Sequence, residues 1–160
     1  MIHVGGRDAE GSMSDWRRMC CPIDFSPASR GAMDEAVELA GRLRAELVLV
    51  HVRHPDASSG PEPVFAPPGR VTSGAETRDE EDLASWVADA ERLAPGLVNS
   101  VVLAGKPAER IVGFAREFDC DLIVMGTHGR TGLRHHALGS VAEQVIRTSH
   151  CPVLVVRRDA

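Results

Sequence analysis

The chain has 160 residues, of which 43% are apolar and 26% charged, a composition typical of one soluble globular domain. Its formal net charge is -5 and its only lysine is Lys106, which argues against broad binding to nucleic acid or to an anionic membrane. No apolar run reaches the roughly 20 residues of a membrane span. The four cysteines form no CxxC pair, so we expect a cytoplasmic protein with reduced thiols.

The predicted elements are apolar strands that alternate with amphipathic helices. Runs of consecutive apolar residues indicate strands buried on both faces, and apolar residues spaced three or four apart indicate helices. In chain order we expect strand 19–23, helix 27–44, strand 47–52, helix 79–94, strand 98–103, a helix from Pro107, strand 121–126, helix 140–149 and strand 152–156.

Two segments fall outside this alternation. Residues 1–16 carry no periodic pattern and predict a flexible N-terminal extension, followed by one domain at 17–158. Residues 53–78 hold five of the ten prolines and predict a Pro-rich loop excursion from that domain.

Five strands that alternate with four helices predict an α/β fold, a single-domain parallel sheet with helices on both faces. In such a sheet, ligands bind beyond the carboxyl ends of the strands, near the point where the strand order reverses. The residues directly after the strands are therefore the candidates for a functional site.

The loop after the fourth predicted strand, residues 126–140, has the pattern G-x2-G-x9-G-S. Glycine lets a ligand approach the backbone, so Gly126 and Gly129 would admit a ribose or a phosphate. Gly139 and Ser140 open the next helix, whose first amides lack intrahelical partners and would face an anion. Ser140 and Glu143 also fit a capping box that satisfies those amides internally, and this alternative stays open.

With this loop and the strands around it, the chain resembles a universal stress protein domain over about residues 18–158. The spacing G-x2-G-x9-G-S is that of the ATP-binding branch of that family. The resemblance implies a Rossmann-like fold, similar to adenine nucleotide alpha hydrolases, with strand order 3-2-1-4-5. The segments that carry it are residues 22–26, 49–52, 121–129, 139–145 and 151–156.

The resemblance also implies how the base and ribose of an adenine nucleotide would be held. Pro22 and Asp24 would lie beside the ribose and adenine, and Val52 would hold the adenine edge through its backbone. Met125 and Gly126 would line the base and the ribose. From the residues alone, Asp24 also fits a structural aspartate before a helix or a catalytic base.

For the phosphates, the resemblance implies Gly129 and the start of the last helix. The amides of Gly139, Ser140 and Val141, together with the Ser140 hydroxyl, would cradle the triphosphate of ATP. A Mg²⁺ or Mn²⁺ ion would be held mainly by phosphate oxygens and water, so we assign no residue as a metal ligand and none as catalytic.

The last predicted strand, 152–156, has no charged residue. In the implied strand order it is an edge strand, and an uncharged edge is prone to aggregation unless it is paired. Pairing with the same strand of a second chain would satisfy it, and the resemblance implies a homodimer of this kind. The alternative is cover by a helix or by the N-terminal tail.

Three functions fit these features. The first is a cytoplasmic ATP-binding stress-response protein that acts as a nucleotide-dependent regulatory or protective module. It is not expected to be a fast enzyme, because no poised base, arginine finger or Walker aspartate is evident. The second is a slow ATPase or an enzyme that phosphorylates itself at Ser140 or Thr131. The third is a nucleotide-independent, chaperone-like interaction module.

Overall fold

The computed structural model describes residues 2–3, 16–53, 78–127 and 138–157. All nine predicted elements form, and the ends that were predicted shift by at most one residue. Apart from its two ends, the Pro-rich loop expected at 53–78 lies outside the described residues. The elements are β1 (Ile2–His3), β2 (Arg18–Ile23), α1 (Pro27–Leu43), β3 (Glu46–Arg53), α2 (Arg78–Leu93), β4 (Val98–Ala104), α3 (Pro107–Glu117), β5 (Leu122–Gly126), α4 (Ser140–Thr148) and β6 (Val153–Val156).

The strands form one sheet in the order β1-β6-β5-β2-β3-β4. The five predicted strands, β2 to β6, are parallel to one another, and their arrangement confirms the order 3-2-1-4-5. β1 adds a sixth, antiparallel strand at the β6 edge, with Ile2 opposite Leu154 and His3 opposite Val153. The sequence carries no signal for β1, because two residues are too few to show an alternating pattern.

Alternation along the strands creates two apolar cores, one on each face of the sheet. α1 and α2 cover the core that contains Cys21 and Leu49. α3 and α4 cover the core that contains Cys20 and Val50. The uninterrupted apolar runs therefore reflect strands buried on both faces, as expected for a parallel sheet.

The start of α1 follows its sequence signals. Ser26 is the N-cap and its hydroxyl accepts a hydrogen bond from the amide of Ser29 at 3.2 Å, while Pro27 is the first helical residue. These signals fix the first turn of α1 directly beyond the carboxyl end of β2.

Asp121 joins the amino ends of the two central strands. Its Oδ2 accepts hydrogen bonds from the amides of Arg17 at 2.9 Å and Arg18 at 3.0 Å, and its own amide donates to the carbonyl of Arg18. β2 and β5 are thus held together at the end of the sheet opposite to the expected ligand edge.

Candidate functional site

The two central strands part toward their carboxyl ends. β2 pairs with β3 along its whole length, from Arg18 to Ile23, whereas it pairs with β5 only at Met19 and Cys20. The strand order reverses between β2 and β5, since the chain continues from β2 toward β4 on one side and from β5 toward β6 on the other. Parting strands at this reversal create the crevice in which α/β sheets bind their ligands.

Three of the predicted residues lie on one face of the sheet at this crevice. Met125 is 5% exposed and packs in the core beneath α3 and α4, and Val52 packs against the same core. Pro22 is buried and follows Cys20 by two residues, so strand alternation places it on that face as well. Together they give an apolar surface at the carboxyl edge, which suits a planar base.

Asp24 lies in the turn between β2 and α1. Its Oδ1 accepts hydrogen bonds from the Ser26 hydroxyl at 2.6 Å and the Ser26 amide at 3.1 Å, and its own amide donates to the Ser29 hydroxyl at 3.3 Å. The structural role that the sequence left open is therefore present. The contact with a ribose that the resemblance implies for the same carboxylate stays a prediction.

Gly126 is required by the first turn of α1. A Cβ at this position would lie 2.8 Å from both the carbonyl carbon and the carbonyl oxygen of Ala28, closer than such atoms can approach. Sequence reasoning assigned this glycine to ligand approach and missed the packing of α1 on the end of β5. Gly129 and Thr131 lie outside the described residues.

The start of α4 is formed by a glycine. The N-cap is Gly139 (φ -74°, ψ 154°), and Ser140 is the first helical residue, with an exposed side chain. The capping box with Ser140 as the N-cap is therefore wrong, and the Glu143 carboxylate instead pairs with Arg147 at 2.5 Å. Within the described part of the chain, no side chain caps α4, so its first amides retain their capacity to bind an anion.

The amide of Gly139 is already used. It donates to the carbonyl of Thr127 at 2.7 Å, which joins the two ends of the loop between β5 and α4. The expected cradle is corrected accordingly, because the amides at the start of the helix are those of Ser140, Val141 and Ala142 rather than that of Gly139. Thr127 is buried, and no sequence pattern singled it out.

The site is thus made of a crevice between two strands, an apolar wall, a carboxylate and an uncapped helix start. The family model of the universal stress protein family matches residues 15–157. The chain belongs to this family. No described helix is long and apolar enough to cross a membrane.

Curated universal stress proteins are similar over most of the chain. Universal stress protein MJ0531 of Methanocaldococcus jannaschii is 35% identical over 143 residues, which cover 89% of this chain and 83% of the relative. Universal stress protein YxiE of Bacillus subtilis is 35% identical over 147 residues, which cover 89% of this chain and 99% of the relative. These matches agree with the family assignment along nearly the whole of both relatives.

A solved universal stress protein in complex with cAMP has the same fold. The two chains superpose with a TM-score of 0.67 at 22% sequence identity, over 89% of this chain and 97% of the other. At this identity the likeness shows the fold alone.

Proposed function

We propose that this universal stress protein binds an adenine nucleotide, ATP in particular, and acts in the cytoplasm as a nucleotide-dependent regulatory or protective module. The observation that carries the proposal is the uncapped start of α4 beside the crevice between β2 and β5. A helix start with unpaired amides attracts phosphate through those amides and through the helix dipole. The structural neighbour in complex with cAMP supports an adenine nucleotide as the ligand of this fold.

In this proposal the base and ribose lie over the carboxyl edge of the sheet. Pro22 and Met125 contact the adenine with their apolar surfaces, and the backbone of Val52 holds its edge. Asp24 accepts hydrogen bonds from the ribose hydroxyls. Gly126 leaves the ribose room at the end of β5.

The phosphates lie at the start of α4. The amides of Ser140 and Val141 and the Ser140 hydroxyl donate to phosphate oxygens. Gly129 lies outside the described residues and keeps the phosphate contact that the resemblance implies. Gly139 contributes by lacking a side chain at the N-cap. A Mg²⁺ or Mn²⁺ ion binds to the phosphate oxygens and to water, and would screen the charge of the triphosphate.

The substitution Ser140→Asp separates nucleotide binding from folding. A carboxylate in the first turn of α4 interacts favourably with the helix dipole, by about 0.5 kcal/mol, so the variant should melt no lower than the wild type. The same carboxylate repels phosphate, and we expect the affinity for Mg·ATP, measured by calorimetry, to fall about tenfold or more. The control Gln144→Glu adds the same charge one turn later in α4 and should bind Mg·ATP nearly as the wild type does.

Three results would overturn parts of this proposal. A wild-type protein that neither binds Mg·ATP nor melts higher in its presence is not a nucleotide-binding module. Unchanged affinity in Ser140→Asp would place the phosphates elsewhere. Steady hydrolysis of labelled ATP at about one turnover per second or more would indicate an enzyme instead of a binding module.

We further propose that the protein forms a homodimer through β6. The strand Val153–Val156 carries no charge. It is the last of the five parallel strands on the side of β5. β6 is not the edge strand that was expected, because β1 of the N-terminal tail pairs with Val153 and Leu154, in the antiparallel orientation that a twofold-related β6 would have. A second chain would pair along Val155 and Val156, beyond β1, or displace it.

A further inference from the structure

His51 is buried on the face of the sheet opposite to the proposed base-binding residues. It is 4% exposed, and its Nδ1 lies 3.0 Å from the carbonyl oxygen of Ile23, the residue before Asp24. Because a carbonyl oxygen can only accept, the Nδ1 carries the proton and donates it. The Nε2 faces the carboxylate of Asp79, in the first turn of α2, at 3.8 Å.

Phe25, the residue after Asp24, packs against the ring of His51. Its ring centroid lies 4.7 Å from that of His51 and 5.5 Å from that of Trp86, which it meets edge to face. Phe25 has a φ of 63°, in the left-handed region that residues with a Cβ seldom adopt, so packing must hold it there. The rings of His51 and Trp86 provide that packing from two different elements.

Trp86 is itself contacted by α1. The Arg30 guanidinium lies 5.1 Å from the centroid of the Trp86 ring and donates to Asp89 at 2.8 Å. The hydrogen bond from this guanidinium lowers the pKa of Asp89, as expected for an ion pair between α1 and α2. The aromatic contact between α2 and the β2–α1 turn is therefore part of a fixed unit.

We propose that His51 is a positioning residue for ribose recognition, which it controls without touching the nucleotide. It holds Ile23 by a hydrogen bond and Phe25 by ring packing, and Asp24 lies between these two residues. The orientation of the Asp24 carboxylate toward ribose hydroxyls then depends on His51 and, through Phe25, on Trp86. This inference rests on the proposed nucleotide binding.

The test compares the affinities for Mg·ATP and for its 2′,3′-dideoxy analogue, because only a ribose contact distinguishes them. We expect the wild type to favour ATP about tenfold, the effect of a hydrogen bond to a charged carboxylate. His51→Leu removes the donor to Ile23 and should reduce that preference to less than about twofold while the analogue binds as before. His51→Asn retains a donor near the Nδ1 position and should restore most of the preference.

Two further variants keep the test independent of stability. Leu49→Val alters a buried residue on the same strand and face, and should lower the melting temperature without changing the preference for ATP. Trp86→Leu changes a half-buried ring on α2, and should weaken the preference even if His51→Leu fails to fold.

The outcomes separate this inference from the proposed function. A wild type that binds neither nucleotide overturns both. A wild type that binds the two equally has no ribose contact, which overturns the positioning role and leaves nucleotide binding intact. If ATP is preferred equally by the wild type, His51→Leu and Trp86→Leu, the positioning role is wrong and Asp24 is held by its serine contacts alone.

Discussion

The adjacent cysteines of β2 show what burial does to single ionisable side chains. Cys20 and Cys21 are fully buried on opposite faces of the sheet. The hydrogen bond with Cys120, followed by burial, raises the pKa of the Cys20 thiol, and burial raises that of Cys21. The folded protein therefore keeps these thiols protonated at alkaline pH, where the unfolded chain would lose their protons.

This difference predicts an alkaline loss of stability. A raised pKa in the folded state gives stability that is complete below the unfolded pKa of about 8.5 and declines as the pH rises above it. We expect the free energy of unfolding to fall by about 1.4 kcal/mol per pH unit for each thiol. Because the chain has no tyrosine and one lysine, few other side chains titrate in this range.

The measurement is urea denaturation under reducing conditions at several pH values above neutrality. Replacing both residues, Cys20→Ala and Cys21→Ala, should flatten the slope against pH even though the loss of packing lowers stability at every pH. An unchanged slope in the double variant would mean that other groups carry the alkaline effect.

At the residue scale, the sequence could not decide between Gly139 and Ser140 as the N-cap of α4. The capping-box pattern of Ser140 and Glu143 is compatible with a helix that begins one residue later than the observed one. In the structure Gly139 is the N-cap and Ser140 is the first helical residue. The Gly139 amide donates a hydrogen bond to the Thr127 carbonyl, which fixes where the helix begins. Such a contact joins residues across a loop and leaves no local pattern.

At the scale of elements, α1 and β5 meet at a glycine. The substitution Gly126→Ala would place a methyl group 2.8 Å from the Ala28 backbone, which cannot rotate away as a side chain could. We expect a loss of about 1–3 kcal/mol in the free energy of unfolding, measured by denaturant titration. Nucleotide affinity should fall as well, because the end of β5 must shift.

Gly113→Ala is the matched control for this substitution. Gly113 lies within α3, is exposed, and has open space where its Cβ would lie. Alanine should stabilise the helix there by about 0.5–1 kcal/mol. Equal effects of the two substitutions would show that α1 does not pack on Gly126 as described.

At the scale of the whole molecule, the two edges of the sheet make the dimer testable. Val156→Lys places a charge on the part of β6 that β1 leaves unpaired, and Val102→Lys places one on β4, the edge strand on the opposite side. Both residues are half-buried on the face covered by α1 and α2. We expect the wild type and Val102→Lys to sediment as dimers at micromolar concentration, and Val156→Lys as a monomer. If only Val102→Lys sediments as a monomer, the dimer interface lies at β4 instead of β6. A monomeric wild type would exclude the dimer.

The negative net charge of the molecule does not exclude nucleotide binding. The net charge of -5 counts side chains, whereas the proposed phosphate contacts are backbone amides and a helix dipole, which that count omits. A triphosphate site is therefore compatible with an acidic chain whose only lysine is Lys106.

The sequence by itself determined the nine elements and their parallel α/β arrangement, and the family resemblance implied the order of the five strands. The elements and the parallel sheet follow from local periodicity, caps and the rules for parallel sheets, so neighbouring residues suffice to predict them. Only the tertiary structure decided that β1 pairs with β6, that Gly126 contacts Ala28, and that His51 reaches Ile23 and Phe25. These contacts join residues far apart in the chain, and their geometry depends on how the helices and strands pack.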